Sequence, residues 1–141
     1  MKYNILVVCC LFSILCFTSC KKEPSKGDYR GTFTGDFGMD SLYTTVYDFE
    51  VTRSTKKELW LKEKQSQVTS KLKKHDNDSI WGMLGFAGKI YNQAYVEFGT
   101  FQTIKVEGNY NSNVIRGTFS LTLVKEEQRY NSTGTFILEP F

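Results

Sequence analysis

His75 is the single histidine of this 141-residue chain, in the run Lys73-Lys74-His75-Asp76-Asn77-Asp78-Ser79. One imidazole with no second histidine or thiol beside it supplies too few ligands for a zinc site and no partner for a nucleophile. Asp76, Asn77 and Asp78 offer oxygens of the kind calcium takes. The further oxygens and the bidentate glutamate of an EF-hand-type loop are missing at the required spacing, so the run reads as a solvated turn. Glycosidase chemistry needs two carboxylates aimed into one cleft. Asp48, Glu50, Glu97 and Glu107 fall instead on the polar faces of strand-like runs and read as surface charge. Gly-x-Ser-x-Gly, phosphate-loop and dinucleotide patterns do not occur. The expectation is a non-enzymatic protein without a cofactor or a metal.

The other reactive residues are the four cysteines, Cys9, Cys10, Cys16 and Cys20, all within the first 20 positions. Around them the chain reads Met1-Lys2, an apolar run from Ile5 to Phe17, then Thr18-Ser19-Cys20. One early lysine, a short apolar core and small residues are the build of a secretory signal. The apolar run is short of the roughly 20 residues of an ordinary membrane-spanning helix. Phe17-Thr18-Ser19-Cys20 resembles the lipobox of bacterial lipoproteins, with Phe17 where leucine is usual. Cys20-Lys21-Lys22-Glu23 is similar to the start of lipoproteins of the Bacteroidota in particular. The resemblance implies cleavage before Cys20, a thioether diacylglycerol and an amide-linked acyl chain on that residue, and attachment to the outer membrane on its periplasmic or outer face. Residues 1–19 are then a signal peptide, 20–28 the lipidated cysteine with a polar tether, and 29–141 a single domain. That domain contains no cysteine, which excludes disulfides and thiolate chemistry.

A domain of this length buries roughly two-thirds of the surface its unfolded chain exposes, enough for one core. The formal charge of +3 and the lack of a basic stripe argue against nucleic acid. From Tyr29 onward the dominant pattern is period-two alternation. Tyr29, Gly31, Phe33, Gly35 and Phe37 share one face. So do Tyr43, Thr45, Tyr47, Phe49 and Val51; Ala94, Val96 and Phe98; Ile104, Val106, Gly108 and Tyr110; Ile115, Gly117, Phe119, Leu121 and Leu123; and Gly134, Phe136 and Leu138. One apolar and one polar face per strand marks antiparallel sheet wetted on one side. Residues 56–74 read as strand from their Thr and Val content, although Leu61, Gln65, Val68 and Leu72 also fall at helical spacing. Residues 79–91 are apolar on both faces, as in a doubly covered strand or an apolar flap over a cavity mouth. Gly-Thr-Phe recurs at 31–33, 99–101, 117–119 and 134–136. The glycines admit a bend or a close neighbour while the phenylalanines fill the same face; frequent use of these residue types in small β domains is the alternative.

The fold class that follows is all-β, an antiparallel meander of about eight to ten strands closing into a small barrel, with a β-sandwich as the alternative. A meander behind a lipoprotein leader resembles the lipocalin-like (calycin) barrels, in architecture only, since Gly31-Thr32-Phe33 stands where true lipocalins carry Gly-x-Trp. Such a barrel is filled by side chains or holds one small ligand. Two functions follow. One is a binding module for a small apolar ligand or a glycan, with Tyr47, Phe49, Trp81, Phe86 and Phe119 as its aromatic lining. The other is a protein-interaction lipoprotein, an enzyme inhibitor or an accessory subunit of an envelope complex, acting through Trp81-Gly82-Met83-Leu84. Asp40-Ser41-Leu42 and Asp78-Ser79-Ile80 resemble the O-glycosylation acceptor pattern of Bacteroidota secreted proteins, which implies Ser41 and Ser79 as modification sites.

Overall fold

In the computed structural model, residues 23–36, 41–86, 102–125 and 128–141 are described. Eight strands follow one another among them: β1 Gly27–Gly35, β2 Tyr43–Ser54, β3 Glu58–Glu63, β4 Thr69–Lys74, β5 Ser79–Phe86, β6 Gln102–Asn111, β7 Val114–Lys125 and β8 Gln128–Pro140. Each pairs antiparallel with the next, and β8 returns to β1, closing a lipocalin-like up-and-down barrel rather than a sandwich. Closure pairs each strand on both sides, the β4–β5 seam over three residues only, Leu72–Lys74 with Ile80–Gly82.

The inward rows are those the alternation marks out. Tyr29, Phe33, Phe49, Val51, Ile104, Val106, Ile115, Phe119, Phe136 and Leu138 are all at most 2% exposed. Fully burying one such side chain contributes about 1.5–3 kcal/mol relative to leaving it in water. Three of the Gly-Thr-Phe tripeptides lie on the adjacent strands β7, β8 and β1, and they interlock. Phe33 is in register with Phe136, which is in register with Gly117; Gly35 is in register with Gly134, which is in register with Phe119. Phe136 and Phe119 therefore each have a glycine beside them on the neighbouring strand, and the Phe119 ring fills the space that side chains at Gly35 and Gly134 would take. A Cβ on Gly35 would stand 2.8 Å from Cζ of Phe119, and one on Gly134 would stand 2.6 Å from the same ring. The recurrence is thus a packing device, with each threonine turned outward. The fourth tripeptide, 99–101, lies outside the described residues.

Four features refine the sequence reading. Residues 56–74 are strand, not helix, forming the hairpin β3–β4. That hairpin stops early because the buried Glu63 carboxylate closes its turn, accepting the backbone N–H groups of Gln65 (2.8 Å) and Ser66 (2.6 Å). β5 is not covered on both sides: Ile80 and Leu84 point inward while Trp81 and Met83 are exposed. A bulge between Val51 and Arg53 resets the alternation, so that Arg53 turns out over Trp60 and Ser54 comes level with the inward Leu59. Finally β8 begins at Gln128, six residues before the first alternating position read from the sequence. Phe37 and the run 94–98 lie outside the described residues.

Candidate functional site

Among the described residues, the middle of the barrel holds a cluster of aromatic rings. Phe33 stands at its centre, 5.9 Å from both Phe119 and Phe136, 6.1 Å from Tyr47 and 6.4 Å from Phe49, ring centre to ring centre. A Cβ added at Gly31 would come within 2.8 Å of Leu138, Phe33 and Phe49 at once. Of the aromatic residues marked as a ligand lining, Phe49 and Phe119 are therefore core side chains, and Tyr47 is half-buried at the margin of the same cluster. Trp81 lies on the opposite, outer face of the wall. Phe86 ends β5 in register with Gln102, and its side chain lies outside the described residues. Tyr47, Phe49 and Phe119 thus meet around Phe33, and Trp81 stands apart from them on the outer face.

On the outside, β5 presents Trp81 and Met83, 38% and 51% exposed. Leu84, grouped with them by sequence proximity, is fully buried, because a strand sends neighbours to opposite faces. Trp81 is held in place. Its indole N–H donates to Nε2 of His75 at 2.7 Å, with 13° between the ring planes, and Nζ of Lys73 sits 4.8 Å from its ring centre. His75 is thus a turn residue that fixes a surface tryptophan. Beside this strip a shallow groove runs over β6, β7 and β8, lined by Lys105, Glu107, Thr118, Ser120, Thr133 and Thr135. The groove continues to Met83. Lys105 and Glu107 pair across its edge at 2.7 Å.

The remaining carboxylates do not converge. Asp48 pairs with Arg30 at 3.0 Å, a hydrogen bond that raises the guanidinium pKa further, and Glu50 is exposed. Glu97 lies outside the described residues. Glu58 takes an ion pair from Lys71 at 2.7 Å and the indole N–H of Trp60 at 3.2 Å, which hold its carboxyl below the usual range, Lys71 contributing most. Among the described residues no three His, Cys, Asp or Glu side chains stand close enough to share a metal ion. Ser41 is exposed, whereas Ser79 is half-buried with its hydroxyl 2.6 Å from Oδ1 of Asn77.

A third place is invisible to motif reading. Residues 23–25, taken from the sequence as tether, lie across the barrel end that carries the β2–β3, β4–β5 and β6–β7 turns. Pro24 is buried there. Glu23 reaches Nζ of Lys74 at 3.2 Å; Lys74 has no exposed side-chain surface and also donates to Oγ of Ser54 at 3.1 Å. The Ser25 N–H donates to Oδ1 of Asn113 at 2.9 Å, and the Tyr29 hydroxyl donates to the Ser25 carbonyl at 3.1 Å. Burial pushes the Tyr29 phenol up from its ordinary value, partly offset by that bond.

No protein-family model matches this chain, and no curated protein or solved structure compared with it is similar. Its function is therefore read from its own surface. Cys20 lies outside the described residues.

Proposed function

We propose that this chain is a non-catalytic cell-envelope lipoprotein, anchored to the outer membrane through acylated Cys20, that binds a protein partner through the outer wall of its barrel. The observation that carries the reading is the Phe33-centred cluster. A ligand at the level of this cluster would have to displace side chains worth several kcal/mol of burial, which supports a role for the exterior of the barrel. The strip formed by Trp81 and Met83 is the contact surface this reading favours. Tryptophan and methionine are enriched at interface cores, and Trp81 is pre-positioned by His75 and Lys73, so little rotamer freedom is lost on binding.

Two measurements test it. Intact mass of the protein from its native host reports the acyl chains on Cys20; a free N-terminal thiol would end the anchoring half. Crosslinking in envelope extracts, with Trp81→Ala and Met83→Ser beside the parent, tests the other half. A partner captured by the parent and lost from both variants supports the strip, whereas identical partners in all three would refute it.

A second reading rests on the groove over β6, β7 and β8. Its hydroxyls and the Lys105–Glu107 pair offer donors and acceptors suited to a glycan, next to Met83. Saturation-transfer NMR with envelope glycans separates this from the protein-partner reading. Transfer to a glycan's protons, together with chemical-shift changes at the threonine methyls of the groove in labelled protein, would place a sugar there.

A further inference from the structure

Six residues separate Cys20 from the first strand, and as free chain the stretch from Cys20 to Gly27 would span roughly 25 Å. A barrel on such a leash would take any orientation at the membrane. Residues 23–25, however, are fastened at both polar and apolar points: Glu23 to Lys74, Pro24 by burial, and Ser25 to Asn113 and Tyr29. Lys74 gives this fastening its direction. Its position in β4, two residues after the inward Leu72, sends the ammonium into the barrel end, where Glu23 supplies the facing carboxylate. Only two residues lie between Cys20 and Glu23, so the stretch from one to the other is at most roughly 11 Å of contour.

Resting on the reading of Cys20 as the acylated residue, we infer that Glu23–Ser25 is a latch that seats the short-turn end of the barrel on the bilayer surface. Its partner is the lipid headgroup layer. The turns at that end carry exposed Lys26, Lys56 and Lys57 against Asp76 and the half-buried Asp78, a balance that does not repel anionic headgroups. The opposite end, where the 36–42 connection places Leu42 at 76% exposure, points away from the membrane. The Trp81 and Met83 strip then stands upright on the wall, accessible to a partner from the side.

The full chain, processed in a bacterial host and reconstituted into phosphatidylethanolamine–phosphatidylglycerol vesicles, tests the orientation. Acylation blocks Cys20 and cleavage removes the other cysteines, so Ser112→Cys and Leu42→Cys variants each take one thiol-reactive donor dye. The two positions are at opposite ends of a barrel roughly 25–30 Å tall. Energy transfer to an acceptor-labelled headgroup is expected to be several-fold stronger from position 112 than from position 42, and Glu23→Ala should abolish most of that difference while the far-ultraviolet dichroism stays that of the parent. Equal transfer from both positions, or a difference untouched by Glu23→Ala, would overturn the latch. Protein that fails to join the vesicles and takes dye at Cys20 would overturn the lipoprotein reading, and the latch with it.

Discussion

The Glu23 carboxylate lies 3.2 Å from the ammonium of Lys74, a lysine with no exposed side-chain surface and the Tyr110 ring 5.2 Å away. Removing one member of a buried pair leaves an uncompensated charge, whereas replacing the buried member by an apolar residue removes the problem. Glu23 is itself partly exposed, which tempers the loss. Glu23→Ala is expected to lower unfolding stability by about 1–2 kcal/mol, and Lys74→Met to be neutral or stabilising. In the Lys74→Met background Glu23→Ala should cost next to nothing. A urea-denaturation double-mutant cycle checks this; additive losses would show that the two groups are not coupled.

Gly31 and Gly134 predict two different failures. The three atoms nearest to a Cβ at Gly31 are all in side chains, of Leu138, Phe33 and Phe49. Gly31→Ala should therefore cost about 1–3 kcal/mol, much of it recovered by adding Phe49→Leu. A Cβ at Gly134 meets the Phe119 ring and also the backbone carbonyl of Thr34, which cannot step aside. Gly134→Ala should be at least as costly, and Phe119→Leu should not rescue it. Thermal unfolding of the two pairs separates a clash with side chains from a clash with backbone.

The barrel was legible in the sequence because water on one side and core on the other impose alternation, which the runs in β1, β2, β6, β7 and β8 carry. The hairpin β3–β4 was nearly legible: Val68, Ser70 and Leu72 alternate, and carrying the pattern two residues further would have sent Lys74 inward. A lysine in an apolar row then asks for a carboxylate, but nothing in the sequence says that it comes from Glu23, 51 residues away, in a segment whose composition is that of a linker. The start of β8 was hidden because Arg129, Asn131 and Thr133 look like loop residues, while their role is to pair with the long strand β7. The split of Trp81 from Phe49 and Phe119 follows from β5 parity, which the abundance of apolar residues at 79–91 obscured.

Trp81 should report its bond to His75. The imidazole accepts the indole N–H through a lone pair on Nε2, 2.7 Å away. In a Trp60→Phe background, His75→Ala should leave the indole N–H to water and shift the Trp81 emission to the red. His75→Gln, which keeps a side-chain acceptor, should hold the emission closer to that of the parent. Lys73, 4.8 Å from the ring centre, is unchanged in both variants. An emission maximum that is the same in parent and His75→Ala would show that the imidazole does not hold the indole.

Glu58 and Lys71 set the acid response of the β3–β4 face. Because the Lys71 ammonium and the Trp60 indole N–H hold the folded-state carboxyl below its ordinary value, the unfolded chain takes up the proton first as pH falls. The stabilisation is therefore complete above the ordinary glutamate range, at about pH 5 and higher, and is lost as pH drops through the lowered folded-state value. Glu58 is open to solvent, so the contribution to global stability is small and the titration itself is the better observable. Carboxyl-carbon NMR should give Glu58 a midpoint below the ordinary glutamate value. Lys71→Ala should raise that midpoint more than Trp60→Phe does, since the lysine bond is the larger influence. Equal shifts would mean that the indole N–H holds the carboxylate as firmly as the ammonium, and that the ion pair seen at 2.7 Å is not the dominant restraint.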